Sequence, residues 1–275
     1  MIMSKEKVFK FVIHLFLIFS LLVCLYPFFY MVNNSLKTGM EIMNYPFNFP
    51  EKVNYSGYVQ VFSELNIVRL FLNSTFIALS VTILNLVFNS MAAYSLEKTQ
   101  FKYKDVLFKF ILFTMMIPGV ILLIPTYIFL FRLGWKNTYR VLIIPGALSA
   151  YNIFLFKQFF QQIDNAYVES AKIDGANHFQ IYSKIILPMA IPVLSTVAIL
   201  CFMGSWNDFM GPLLWINDEA LYTLQLGITK FRSLIPGTNL QTIYASITFA
   251  TVPVVLFYML FQNQFVKAYT GVSLK

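Results

Sequence analysis

Apolar residues in this chain form long uninterrupted runs, and the charged residues between them form short clusters. A helix of about 20 apolar residues crosses the hydrocarbon core of a bilayer and satisfies its own backbone hydrogen bonds there. No alternating strand pattern is present. The sequence therefore predicts an all-α, polytopic membrane protein, in which six transmembrane helices form a single domain over residues 1–275. The predicted spans are residues 11–32, 70–96, 110–131, 141–162, 185–207 and 240–266.

The composition agrees with a membrane protein and excludes a soluble one. Charged residues make up only 12% of the chain and hydrophobic residues 58%, whereas a soluble domain carries about 25% charged residues. The first run has no small-residue cleavage site and continues into the apolar residues 26–30. We therefore interpret it as a span and not as a removable signal peptide.

The distribution of Lys and Arg predicts the orientation of the spans. With the N-terminus in the cytoplasm, the inner segments hold 12 of the 20 basic residues and the outer segments hold the other 8. Cytoplasmic loops carry the excess of Lys and Arg, so we expect a multi-pass protein of the cell membrane with both termini in the cytoplasm. The net charge of +8 then reflects topology and contact with lipid, and we expect no nucleic-acid partner.

Residues that enzymes and metal sites require are scarce. Cys24 and Cys201 lie far apart in apolar runs, and His14 and His178 have no cluster of Cys, Asp or Glu beside them. We therefore expect no metal site and no catalytic triad. No Gly-x-x-x-x-Gly-Lys-[Ser/Thr] loop is present, so we expect no ATP site, no cofactor and no enzymatic activity in this chain. The spans also lack Asp and Glu at mid-depth, which ion-coupled carriers often use, so energy for transport is expected from another subunit.

The loop between the fourth and fifth spans, residues 163–184, predicts a short helix on the cytoplasmic side. Asp164 or Asn165 can cap its N-terminus, and Gly175 can end it in the left-handed conformation. An acidic residue and two small residues lie between these ends: Glu169, Ser170 and Ala171. Small side chains let another surface approach the helix, and the acid can pair with a base on that surface. The alternative is an interfacial helix with ordinary caps.

The spacing in this loop resembles the EAA loop of binding-protein-dependent ATP-binding-cassette importers, which has the form Glu-Ala-Ala-x3-Gly-x9-Ile-x-Leu-Pro. The matching positions are Glu169, Ser170, Ala171, Gly175, Ile185, Leu187 and Pro188. Serine replaces the first alanine and is nearly as small.

Further segments resemble the carbohydrate-uptake class of these importers, and within it the shorter, six-span permease of the maltose type. They are residues 34–37 (NSLK), 116–118 (MIP) with Pro125, 133–138 (LGWKNT), 173–176 (IDGA), 206–208 (WND) with 212–213 (PL), and 264–272. Two positions depart from the family: Asp164 stands where proline is common, and Ala268 where glycine is common.

The resemblance implies a sugar or oligosaccharide permease that works as a heterodimer with a second, homologous permease. Two ATPase subunits bind the ATP and Mg, and an extracytoplasmic solute-binding protein delivers the substrate. The residues of this chain that dock on the ATPase would be Glu169, Ser170, Ala171, Asp174 and Gly175. Uptake of glycerol phosphate or another polyol derivative is an alternative, and a secondary carrier without an ATPase is a more distant one.

Trp206, Asn207 and Asp208 at the end of the fifth span allow two interpretations. They form either an aromatic belt and polar helix end at the outer interface, or part of the sugar route or outer gate, because aromatic faces, amides and carboxylates bind sugars. The following loop, 211–239, is long for a simple turn, and by resemblance it contacts the binding protein. Prolines in or near the spans mark hinges or kinks: Pro118, Pro125, Pro145, Pro188, Pro192 and Pro253.

Overall fold

The computed structural model describes residues 5–234 and 240–270, and within these residues the regular structure is helical throughout. The predicted all-α class is therefore confirmed. In chain order the helices are α1 (Lys5–Ser35), α2 (Gly39–Asn44), α3 (Ser56–Glu64), α4 (Ile67–Lys98), α5 (Lys104–Met115), α6 (Gly119–Arg132), α7 (Arg140–Gly146), α8 (Ala150–Gln161), α9 (Ala166–Ile173), α10 (His178–Ile181), α11 (Leu187–Met189), α12 (Ile191–Trp206), α13 (Met210–Trp215), α14 (Leu224–Leu234) and α15 (Leu240–Thr270). A π-helical segment, Tyr182–Ile186, joins α10 to α11, and a 3-10 turn, Glu219–Leu221, follows α13.

Each predicted apolar run falls on one of these helices, on a bent pair of them or, for the fourth run, on α7 together with α8. The single stretches that are long and apolar enough to cross a membrane are Phe9–Ser35, Ile67–Lys98 and Arg140–Gln161. Two bent helix pairs meet the same criteria when each is taken together: α5 with α6, and His178–Met189 with α12. The last run lies on α15, whose described apolar part is Leu240–Leu256. Of the tail that resembles the family, Gly271 and Val272 lie outside the described residues.

The two sharp bends coincide with prolines. Pro118 directly precedes α6 at a bend of 101°, and Pro188 and Pro192 flank the bend of 81° that precedes α12. A proline ring blocks a helical hydrogen bond and clashes with the preceding turn, so chain direction can change there. The remaining prolines of the predicted set lie inside helices: Pro125, Pro145 and Pro253.

Backbone contacts divide the chain into two compact units: residues 5–67 with 228–234 and 240–253, and residues 68–227 with 254–270. That they act as a single permease domain stays a prediction. In the first unit, Gln241 is fully buried and its amide joins separate segments. Its Nε2 donates to Asn54 O (2.7 Å), and its Oε1 accepts from Ser56 Oγ (2.9 Å). Gly57 packs directly on Gln241, where a Cβ would come within 2.8 Å of Cγ.

The segment 34–37, which follows the first span, contains a buried lysine. Lys37 is only 1% exposed, and its Nζ donates to Asn34 Oδ1 (3.2 Å), Tyr45 O (3.1 Å) and Pro46 O (3.1 Å). Burial lowers the pKa of Lys37, and the nearby Glu41 carboxylate partly offsets this effect. A buried cation needs such acceptors, so the residues that carry the family resemblance here have a structural role.

The second unit has one large apolar core, built by α4, α8, the loop helices and α12. Its buried members are Ala93, Tyr94, Phe156, Phe160, Ile163, Val168, Ala171, Ile181, Tyr182, Ile186, Ala190, Val193 and Val197. Residues of the loop between the fourth and fifth spans belong to this core, so the loop is anchored on the second unit.

Candidate functional site: a docking helix and a polar cavity

The N-terminus of the predicted docking helix, α9, is capped as the sequence indicates. Asp164 Oδ1 accepts the N–H of Ala166 (2.9 Å), which satisfies one of the free donors at the helix start. The Asn165 side chain makes no such cap. Its Oδ1 instead accepts a hydrogen bond from Lys98 Nζ (2.7 Å).

Gly175 ends α9 in the predicted left-handed conformation, with φ of +80°. Its N–H donates to Lys172 O (3.0 Å), and the N–H of Ala176 donates to Ala171 O (2.9 Å). This pair of bonds is a Schellman motif, which satisfies the last carbonyl groups of the helix and reverses the chain direction. Glycine is favoured here because a left-handed conformation strains residues that have a Cβ.

The two faces of α9 have different environments. Val168 and Ala171 are buried in the core of the second unit. The predicted docking residues Glu169, Ser170, Asp174 and Gly175 are exposed on the other side. Ala171, predicted to dock with them, is buried in this chain, and its small side chain lets α9 pack closely on the core.

Three large apolar side chains near Glu169 are also exposed, and they were not among the residues predicted from the sequence. Tyr167 is 51% exposed, Ile173 is 86% exposed and Phe179, just beyond the helix, is 66% exposed. Apolar anchors ringed by polar groups are typical of protein–protein contact sites. Among the described residues, Glu169 takes part in no ion pair, so its charge remains available to a partner.

One face of α4 contacts the residues that precede α9 and the residues that follow it. Ser90, Tyr94 and Lys98 recur every four residues, so they lie on the same side of the helix. Lys98 Nζ donates to Ile163 O (2.5 Å) and to Asn165 Oδ1, directly before α9.

The other two members of this face bind the residues that follow α9. Tyr94 Oη lies 3.2 Å from His178 Nδ1, and Ser90 Oγ lies 2.7 Å from Tyr182 Oη in the π-helical segment. α4 therefore contacts the chain on both sides of α9.

The structure separates the three residues at the end of the fifth span. Trp206 is 2% exposed and packs on Phe71 and Phe202, with ring centroids 5.7 Å apart in both pairs. It is buried within the second unit, which contradicts the aromatic-belt interpretation for this chain. Asn207 is exposed, and its Nδ2 donates to Met203 O (2.9 Å) in its own helix.

Asp208 alone of these three residues lines a cavity of about 480 Å³ in the second unit. Its Oδ1 accepts the N–H of Gly211 (3.0 Å), and a Cβ on Gly211 would collide with Oδ2. Burial raises the pKa of Asp208, and hydrogen bonds from the backbone N–H groups of Gly211 and Met210 partly offset this. The sequence therefore predicted one residue of this cavity, Asp208. It did not predict the two amide side chains that also line it, Asn85 and Asn152.

The long loop after the fifth span is ordered as α13, a 3-10 turn and α14 over its described part; residues 235–239 lie outside it. Asn137, with φ of +61°, accepts the N–H groups of Asn217 (3.0 Å) and Asp218 (2.9 Å) on Oδ1. Asn73 Nδ2 donates to Ala220 O (3.0 Å) and to Tyr222 O. The Asn137 contacts show that the segment 133–138 holds this loop in place. Among the described residues, no group of three or more His, Cys, Asp or Glu side chains could hold a metal ion.

Residues 90–271 match the family described as "Binding-protein-dependent transport system inner membrane component". The chain is 31% identical to the polygalacturonan/rhamnogalacturonan transport system permease protein YtcP of Bacillus subtilis, over 96% of each chain. It is 30% identical to the trehalose/maltose transport system permease protein MalG of Thermococcus litoralis, over 92% of each chain. Its structure superposes with a TM-score of 0.85 and 26% identity on a chain of a bacterial ABC transporter involved in the import of the acidic polysaccharide alginate, covering 96% of this chain and 98% of that one.

Proposed function

Since this chain belongs to the family of binding-protein-dependent transport system inner membrane components, we propose that it forms a sugar or oligosaccharide route together with a second permease. The chain is a membrane-embedded permease subunit of an ATP-binding-cassette importer, and the family that its sequence resembles is confirmed. Such a subunit works with other importer subunits and a solute-binding protein. A heterodimer with a homologous permease and two ATPase subunits that bind ATP and Mg is the assembly we propose.

The observation that carries the coupling role is the two-sided packing of α9. Its inner face is part of the core, and its outer face presents Glu169 beside the apolar Ile173. An ATPase subunit that contacts this face moves a helix held to α4 by Lys98. ATP-driven closure shifts the spans only if the ATPase contacts differ between the inward-open and outward-open states. A rigidly held docking helix transmits that difference to the spans, because its displacement is not absorbed by a loose loop.

Reversing the charge of Glu169 tests this role. We expect Glu169→Lys to reduce co-purification of the ATPase subunit by roughly tenfold or more, because breaking one charged contact at an interface costs about 2–5 kcal/mol. Membrane insertion should be unchanged, since the side chain is exposed. Asp105→Lys, the same charge change at an exposed position in the first turn of α5, is the matched control. Normal ATPase recovery with Glu169→Lys would remove this residue from the interface.

The proposed orientation places α9 and both termini in the cytoplasm, following the excess of Lys and Arg there. We expect a single cysteine at Glu219 to react with a membrane-impermeant thiol reagent in intact cells, and a single cysteine at Lys102 to react only after permeabilisation. Both positions are exposed, so burial does not confuse the result. Cys24 and Cys201 are replaced in the background. The reverse labelling pattern would invert the topology.

A further inference from the structure

The fourth span is interrupted, and its free backbone groups are satisfied by side chains of α4. α7 and α8 belong to one apolar stretch but are separated by residues 147–149. Asn85 Nδ2 donates to Gly146 O (3.2 Å), and Asn89 Nδ2 donates to Ala147 O (3.2 Å). Irregular backbone at membrane depth is tolerated where it is buried in protein or lines a polar cavity. The second condition holds here, because Gly146 and Ser149 at this break line the cavity that contains Asp208.

This cavity has the size and the lining of a small-molecule site. Its volume of about 480 Å³ is within the roughly 300–1,000 Å³ of ligand pockets. Asn85 lies near the middle of α4, so the cavity is close to half-way along that span. The polar side chains of the lining are Asn85, Ser149, Tyr151, Asn152, Ser205 and Asp208. The lining contains no Lys, Arg or His.

Asn152 presents an acceptor that the protein itself does not use. The side chain is 6% exposed, and its Nδ2 donates both to Asn85 Oδ1 (2.9 Å) and to Cys201 Sγ (3.2 Å). No hydrogen bond from another described residue reaches its Oδ1. Within the described residues, the only fully enclosed side-chain N or O atom without a partner is Trp206 Nε1, so Asn152 Oδ1 is reachable from the cavity. A buried amide oxygen in this position needs a donor, such as water or a ligand hydroxyl.

We propose that this cavity is a binding site for a neutral saccharide on its way through the membrane, with Asn152 Oδ1 and the Asp208 carboxyl accepting hydrogen bonds from its hydroxyl groups. The inference rests on the proposed importer function and narrows its substrate class. Carboxyl and amide oxygens suit hydroxyl donors, whereas a phosphate or uronate requires cationic or N–H partners. An acid without a neighbouring base disfavours an anionic ligand, which argues against the glycerol phosphate alternative.

Cys201 lines the same cavity and provides a native reporter. In the complete importer carrying Cys24→Ser, we would measure the rate at which methyl methanethiosulfonate modifies Cys201. The added probes are neutral gluco-, galacto-, xylo- and arabino-oligosaccharides of up to four units, then trigalacturonate and glycerol 3-phosphate. We expect at least one neutral saccharide to slow the modification by about fivefold or more, and the two anionic probes to have no effect.

A cavity-filling variant separates ligand binding from folding. A Cβ added at Gly204, which lines the cavity, meets no atom within 4 Å, so Gly204→Leu extends into the cavity without disturbing the core. It should abolish both saccharide protection and uptake while leaving ATPase co-purification normal. Gly119→Leu is the matched control, because its Cβ also meets nothing within 4 Å and it lies outside the cavity.

Several results would overturn the assignment. They are the absence of protection by every neutral saccharide, equal protection by the anionic probes, or unchanged protection in Gly204→Leu. Cys201 that reacts in the isolated chain but not in the ligand-free importer would show that a segment of another subunit fills the cavity, which also overturns it. ATPase recovery in the same preparation reports on the importer assignment separately, so failure of the cavity proposal leaves that assignment intact.

Discussion

Lys98→Met is expected to uncouple ATP hydrolysis from transport while the subunit still reaches the membrane. The lysine is 8% exposed at the end of α4, and its Nζ bonds Ile163 O and Asn165 Oδ1 at the entrance to α9. Methionine fills a similar volume but donates no hydrogen bond. The buried Ile163 carbonyl is left without this donor, at a cost of about 1–3 kcal/mol, whereas water can replace the lysine at the exposed Asn165.

The physical consequence is a docking helix that is loose at its N-terminal end. The core contacts of Val168 and Ala171 remain, so α9 should persist but shift relative to α4. We expect uptake to fall by roughly fivefold to a hundredfold, as about 1–3 kcal/mol of positioning energy is lost. ATPase co-purification should fall much less, because the exposed face with Glu169 is unchanged.

Three measurements decide this prediction: uptake per assembled complex, ATPase activity stimulated by the binding protein, and ATPase recovery. Lys102→Met is the control, since Lys102 is an exposed lysine a few residues further along the chain. Parallel loss of ATPase recovery and uptake would mean that Lys98 only supports folding of the loop. Unchanged stimulation of hydrolysis by the binding protein together with normal uptake would exclude any coupling role.

The membrane architecture could be predicted because span helices need only length and apolarity, and both are visible in the sequence. The bends of 101° and 81° were foreseeable as proline positions but not as angles, since packed neighbours decide whether a proline bends or breaks a helix. Pro125 lies inside α6 without such a break. Local capping was also predictable, because Asp164 and Gly175 act through their own backbone neighbourhood.

Contacts between distant segments could not be predicted in the same way. Periodicity places Ser90, Tyr94 and Lys98 on one face of α4, but nothing local shows that residues 163–182 pack there. For the same reason Ala171 was assigned to the docking surface although it faces the core. One of the two interpretations of Trp206 placed it at the membrane interface, where tryptophan is enriched, yet tertiary packing buries it. Asn152 was missed because a single amide in an apolar run has no spacing pattern, and the cavity forms only where α4, α7, α8 and α12 meet.

Gly175→Val is expected to have the second large effect, through the geometry of the chain leaving α9. Gly175 has φ of +80°, and a Cβ there would meet no atom of the chain within 4 Å. Any defect within the subunit therefore comes from backbone strain and not from a clash. A left-handed conformation costs about 1–2 kcal/mol for an ordinary residue, and a β-branched side chain is among the least compatible with positive φ.

Backbone strain at Gly175 should change the direction in which the chain leaves α9. The exposed face of the helix is then displaced. The Schellman bonds from Gly175 and Ala176 break if φ returns to negative values, and Ile173 and Asp174 then move with the end of the helix. We expect ATPase recovery and uptake to fall together, by roughly tenfold to a hundredfold for about 1.4–2.8 kcal/mol. This joint loss distinguishes Gly175→Val from Lys98→Met, which should affect mainly uptake.

A substitution series identifies strain as the cause. Asparagine adopts the left-handed conformation more readily than alanine, although its side chain is larger. Strain therefore predicts activity in the order Gly175, then Gly175→Asn, then Gly175→Ala, then Gly175→Val. A clash with the ATPase subunit predicts the order of side-chain size instead, with Gly175→Ala above Gly175→Asn. Uptake and ATPase recovery measured across the series separate the two causes, and a higher value for Gly175→Ala than for Gly175→Asn would refute the argument from backbone geometry.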